Sequence, residues 1–121
     1  MLSVVWIEVP VKDFERALKF YHAVFELAPS EILDDGVRRT TTLFNASDNG
    51  APGFSLNQTA NFEPSDKGPL VYLYLGDDLA PILDRVTANG GAVVEGKTAM
   101  GSAGFYATIR DSEGNLLALY A

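Results

Sequence analysis

The chain has no cysteine, one histidine, one tryptophan and two methionines. Without a thiol there is no disulfide framework, and zinc–thiolate, dithiol redox and cysteine-nucleophile chemistry are all excluded. The lone His22 falls just off the apolar stripe of a helical segment, so it is expected to face solvent. A working base needs a cleft and an orienting partner, and Ser/His/Asp catalysis finds no such grouping here. Basic charge is also scarce: nine Lys and Arg stand against sixteen Asp and Glu, for a net charge of −7. Apart from Arg38-Arg39 the cations are scattered singly, which argues against nucleic acid as a partner. No apolar run is long enough to cross a bilayer, and Met1 to Asp13 lacks the pattern of a secretory signal, so no membrane partner and a cytoplasmic location are expected.

What the chain does have is a hidden duplication. Shifted by 65 residues, Asp13-Phe14 lies over Asp78-Leu79, Leu18 over Leu83, Gly36 over Gly101, Phe44 over Ile109, and Ser47-Asp48 over Ser112-Glu113. Each copy reads as a strand, a helix and three further strands, a unit too small to close a core alone. The first copy spans about residues 1–60 and the second about 66–121, within one domain of 121 residues. In the first, Val5, Ile7 and Val9 alternate with Trp6 and Glu8. Asp13 then caps a helix with Phe14, Ala17, Leu18, Tyr21, Val24 and Phe25 on one side. Asp34-Asp35-Gly36 and Ser47-Asp48-Asn49-Gly50 are turns around a strand from Val37 to Phe44, and a short strand follows near Gly53 to Gln58. In the second, Leu70 to Leu75 is a strand, and Leu79, Ile82, Leu83 and Val86 form a helical stripe that Asn89-Gly90-Gly91 closes. Strands follow near Ala92 to Glu95, Phe105 to Arg110 and Leu116 to Tyr120, and Ala99 to Gly104 is a candidate mobile loop.

Gly91 to Thr98 matches the phosphate-loop pattern in letters alone. A phosphate cradle needs a strand before the glycines and a helix N-terminus after the Lys-Thr, whereas here a helix ends and a strand begins. Asp34-Asp35 and Asp77-Asp78 read as turn and cap residues. The informative pair is Trp6 with Glu8, on the strand face away from the helix. A tryptophan there implies a covering layer, such as a dimer contact, or a ligand cavity. If that cavity is apolar, burial would raise the pKa of Glu8 and make it a general base or a counter-ion for a cationic ligand.

The runs WIEVPVKDFERALKFYHAVFEL, LVYLYLGDDLAPILDRVTANGGAVV, KTAMGSAGFYATI and DSEGNLLALYA resemble the vicinal oxygen chelate superfamily, which includes glyoxalase I, bleomycin resistance proteins and extradiol dioxygenases. The resemblance implies an α+β fold of two βαβββ modules whose mixed sheets form an incomplete barrel around a cavity, usually completed in a homodimer. Its metal-dependent members hold a divalent ion with His, Gln or Glu from the first and last strands of each module. Those positions fall here at Trp6, Val71, near Gly53 and at Ala118, none a metal ligand, and a two-residue error adds only Glu8, Ser55 and Asn57. No metal and no cofactor are therefore expected. The bleomycin-resistance branch instead binds a cationic drug without metal, and the implied role is binding a small organic molecule, a cationic one being compatible with the acidic charge. The candidate lining is Trp6, Glu8, Phe54, Asn57, Tyr106 and Tyr120; the preferred register keeps Tyr72 and Tyr74 out of it. The alternative is a lyase, isomerase or dioxygenase, using either non-standard metal ligands or Glu8 as a metal-free base.

Overall fold

Two helices and eight strands appear in a computed structural model that describes residues 1–47 and 50–121. The order is β1 (Trp6–Pro10), α1 (Phe14–Phe25), β2 (Ile32–Asp34), β3 (Arg38–Phe44) and β4 (Gly53–Thr59), then β5 (Val71–Tyr74), α2 (Leu79–Ala88), β6 (Ala92–Ala99), β7 (Phe105–Arg110) and β8 (Leu116–Tyr120). The strands form two four-stranded sheets, ordered β1-β4-β3-β2 and β5-β8-β7-β6. In each, the first strand runs parallel to the last and the other pairs are antiparallel. Each βαβββ module has one sheet and one helix. The expected turn at Ser47 to Gly50 includes Asp48 and Asn49, which lie outside the described residues.

The helices start where their sequences offer a cap: Asp13 accepts from the Arg16 amide at 3.1 Å, and Asp78 from the Ala80 amide at 3.2 Å. One hydrophobic core joins the helix-facing sides of both sheets. It holds Phe14, Phe20 and Tyr21 from α1, Leu79 and Val86 from α2, and Phe54, Leu56, Ile109, Leu117 and Leu119 from the strands. Burying each large apolar side chain contributes about 1.5–3 kcal/mol. Phe20, absent from the expected stripe, is fully buried, while Leu18 and Phe25 are half-buried at its edge. Gly91 explains the glycine of the rejected phosphate loop, because a Cβ there would lie 2.6 Å from the Phe20 ring and 2.7 Å from the Arg110 carbonyl. His22 does not simply face solvent; it is half-buried, with Nε2 3.4 Å from Ser30 Oγ.

The last turn of the second module clasps the first. Glu113 accepts from the amides of Lys12 at 2.9 Å and Asp13 at 2.7 Å, and from Arg16 Nε at 2.8 Å, so it caps α1 from the far end of the chain. Below it the Tyr21 hydroxyl, buried and in need of an acceptor, donates to Asp111 Oδ2 at 2.6 Å. Asn115 donates to the same oxygen at 3.0 Å and to the Pro10 carbonyl at 2.8 Å. Burial, and then the Asp111 charge, push the Tyr21 hydroxyl well above its ordinary pKa, so it remains a donor.

Candidate functional site

Strand pairing decides which side chains share the sheet faces turned away from the helices. In the first sheet Trp6 lies beside Gly53, Glu8 beside Ser55 and Pro10 beside Asn57. Trp6, Glu8, Ser55 and Asn57 therefore share the open face, while Ile7, Val9, Phe54 and Leu56 point to the core. A Cβ on Gly53 would stand 2.3 Å from the Trp6 ring, so the missing side chain makes room for the indole to lie across β4. Its Nε1 donates to Ser55 Oγ at 3.1 Å. The ring is thereby fixed at both ends and still 42% exposed. Next to it Asn57 Nδ2 donates to Glu8 Oε1 at 3.1 Å. Asn57 is only 4% exposed, whereas Glu8 is exposed.

Trp6 and Glu8 also line a groove of about 730 Å³ between β1, the linker at Phe62 and Glu63, and Tyr72 of β5. A second hollow of about 690 Å³, at the far end of the first sheet, collects Lys12, Arg38 and Arg39. Its cations are engaged already: Arg39 with Glu15 at 2.6 Å, Lys12 with Glu63 at 3.7 Å and Arg38 with Asp35 at 3.9 Å.

The second sheet corrects the expected register. Val71 pairs with Leu117 and packs on the core, so Tyr72, beside Ala118, and Tyr74, beside Tyr120, lie on the open face. The 65-residue offset holds for the helices but slips by one at β5. The counterpart of the Trp6–Gly53 pair is thus Tyr72–Ala118 and not a pair with Val71. Tyr106 pairs across from Tyr120, which brings four tyrosines onto one face. The Tyr106 hydroxyl has a raised pKa, chiefly through its hydrogen bond to Glu95, then through burial and the Glu95 charge. Tyr120 donates to the Ala103 carbonyl, closing the turn at Met100 to Gly104 against β8.

Of the six expected lining residues, Trp6, Glu8 and Asn57 gather on one open face, and Tyr106 and Tyr120 on the other. Phe54 stands elsewhere: it is 1% exposed, faces α1 and stacks on Phe44 at 5.3 Å, beside a hollow of about 280 Å³ shared with Tyr21 and Tyr74. Among the described residues no three His, Asp or Glu side chains converge as a metal site. Ser55 and Gly53 hold Trp6 in place; their parity with Asn57 was the one sequence signal that could have assigned them that part.

This fold and these faces define a duplicated βαβββ protein with an open face on each sheet. The profile of the Glyoxalase/Bleomycin resistance protein/Dioxygenase superfamily matches residues 3–119, and the chain belongs to that superfamily. Solved structures agree on the fold. A glyoxalase-related enzyme from Fulvimarina pelagi superposes with a TM-score of 0.70 at 18% identity, covering 99% of this chain and 88% of its own. A glyoxalase/bleomycin resistance protein from Albidiferax ferrireducens gives 0.68 at 23% identity, covering 96% of each chain. The genomically encoded fosfomycin resistance protein of Listeria monocytogenes gives 0.70 at 13% identity, covering 100% of this chain and 91% of its own. No curated protein matches the sequence. No helix among the described residues is long and apolar enough to cross a membrane.

Proposed function

We propose that this chain is a metal-independent binding protein that sequesters a small organic molecule in the groove where Trp6 and Glu8 stand together. The observation that carries the reading is the seating of Trp6, whose ring lies over Gly53 with its nitrogen on Ser55 and keeps 42% of its surface free beside a carboxylate. An immobilised indole loses little entropy when a ligand stacks on it, and a neighbouring carboxylate favours a cation. The positions where metal-dependent superfamily members carry ligands are occupied here by Trp6, Gly53, Tyr72 and Ala118, which supports binding without a metal. The exposed aromatics of both open faces support a homodimer in which a second copy covers the site.

Metal content per subunit, measured by elemental mass spectrometry on protein purified without chelator or tag and then offered manganese, iron, nickel and zinc, tests the metal-independent part. A stoichiometric metal overturns it. Trp6 is the only tryptophan, so quenching of its emission by small organic cations reads the site directly. Loss of binding in Trp6→Ala, read by titration calorimetry because the variant has no tryptophan, with the oligomeric state unchanged supports the reading, and unchanged binding overturns it. Turnover that survives chelators and disappears in Glu8→Gln would move the chain to the metal-free enzymes.

A further inference from the structure

The hollow of about 280 Å³ beside Phe54 shares no lining residue with the Trp6 groove. Both modules wall it: Tyr21 and Phe25 of α1 and Phe54 of β4 from the first, Leu73 and Tyr74 of β5 from the second. From β3 it takes two consecutive residues, Leu43 and Phe44. Successive residues of a regular strand point to opposite faces, but β3 bulges here. Thr42 pairs with Ser55 and Phe44 with Phe54, so two residues of β3 stand against one of β4. Regular pairing would send Phe44 to the open face; the bulge turns it onto Phe54 instead. Bulges that re-aim a side chain in this way are over-represented beside active sites.

We propose that this hollow is a second ligand site, which takes a small uncharged molecule with an aromatic ring. It is independent of the Trp6 groove and stands whether or not the groove binds a cation. The rings make one continuous wall: Phe25 stacks on Tyr21 at 5.8 Å, Tyr21 leans on Phe54 at 6.2 Å, and Phe54 stacks on Phe44 at 5.3 Å. Such walls favour a ring, through offset-stacked and edge contacts. Among the described residues no charged side chain lines the hollow, and the Tyr21 hydroxyl is already committed to Asp111. A water needs two to four polar partners, and side chains supply few here. A charged guest would shed its hydration with nothing to replace it. An apolar cavity of about 150 Å³ holds benzene, so this larger one has room for a substituted ring. Phe44 is 42% exposed and Tyr74 76%, so the hollow opens to solvent between them.

Toluene and benzoate share the ring and differ in charge. Each is titrated into the full chain by calorimetry at neutral pH, in enough salt to screen the net charge. Apolar guests entering a preformed, poorly hydrated pocket usually release heat. Toluene is expected to bind once per chain, at least about tenfold more tightly than benzoate, and to leave Trp6 emission unchanged. Leu43→Phe and Leu73→Phe fill the hollow from opposite modules, and each should weaken toluene at least about tenfold; either serves if the other does not fold. Absence of toluene binding, or equal binding of benzoate, overturns the inference and leaves the reading of the groove intact. Toluene that changes Trp6 emission, or that binds undiminished in the folded filled variants, sits elsewhere and overturns it too. Toluene binding that fades as protein concentration rises gives the hollow to a second copy of the chain, which also overturns it.

Discussion

The two modules share a plan on their helix sides and diverge on their open faces. Phe14 and Leu79 begin the two helices 65 residues apart, and Ala17 and Ile82 continue the same buried stripe. Turned the other way, the first sheet carries Trp6, Glu8, Ser55 and Asn57 beside a glycine, while the second carries Tyr72, Tyr74, Tyr106 and Tyr120 beside an alanine. Packing against a helix constrains volume and pattern, so the duplicated cores stay alike. The open faces are free of that constraint, which is why they could acquire different chemistry. The modules also differ in what they give each other: the turn of the second caps the helix of the first through Glu113 and buries Asp111 under Tyr21.

That unequal clasp offers the most damaging way to break the comparison. Asp111→Ala leaves the hydroxyl of Tyr21, the amides of Glu113 and Asn115 and one Asn115 side-chain donor without their acceptor. Stranding several buried donors at once should cost about 3–4 kcal/mol, read as a lower urea midpoint. Tyr21→Phe removes only one donor and should cost about 1 kcal/mol. Next in size is the glycine under the indole. Gly53→Ala should cost about 1–3 kcal/mol by overpacking and shift Trp6 emission to the red as the ring leaves Ser55. The matching change in the second module, Ala118→Gly, should cost no more than about 1 kcal/mol, the ordinary penalty for glycine within a strand.

Acid tests the clasp more gently. Burial works to raise the Glu113 carboxyl, but bonds from Arg16, the Asp13 amide, Ser112 and the Lys12 amide outweigh it and lower the pKa from 4.5 to about 2. A carboxyl with a lowered folded-state pKa stabilises the fold in full above its unfolded value near 4.5, and the contribution fades as pH falls through about 2. Arg16 is half exposed, so screening reduces the contribution to about 1–2 kcal/mol. Urea midpoints taken from pH 5.5 down to 2.5 should fall faster in the unaltered chain than in Glu113→Gln, where this limb is gone; parallel curves would place the acid sensitivity elsewhere.

The clasp and the register of β5 were the parts least legible in the sequence. Capping of α1 by Glu113 joins residues about a hundred positions apart, and nothing in a local pattern marks one acidic turn residue as the partner of a distant helix. For β5 the obstacle was composition. Leu70 to Leu75 is apolar throughout, and tyrosine suits a buried or an open face, so period-two alternation gave no parity. In β1 the contrast of Ile7 and Val9 with Glu8 fixed the faces, and the open placement of Trp6 was readable. The helices, their aspartate caps and the Asn89-Gly90 ending were legible because each has its own local signal. Asn57 was legible as a candidate only because it lies near a position where the superfamily carries ligands, and its hydrogen bond to Glu8 could emerge only once the strands were paired.

The smallest expected effect separates a face that is bare from one that is covered. Tyr74 is 76% exposed in a single chain, and its loss should cost an isolated chain less than about 0.5 kcal/mol, the usual range for an exposed position. If a second copy covers the tyrosine face, Tyr74→Ser removes buried area from an interface instead, and stability becomes linked to association. Melting temperatures of the unaltered chain would then rise with protein concentration, and Tyr74→Ser would flatten that rise while matching the unaltered chain at high dilution. Concentration-independent melting in both proteins would mean that the four tyrosines face water or ligand, and that the open faces differ in what they bind and not in whether a partner chain covers them.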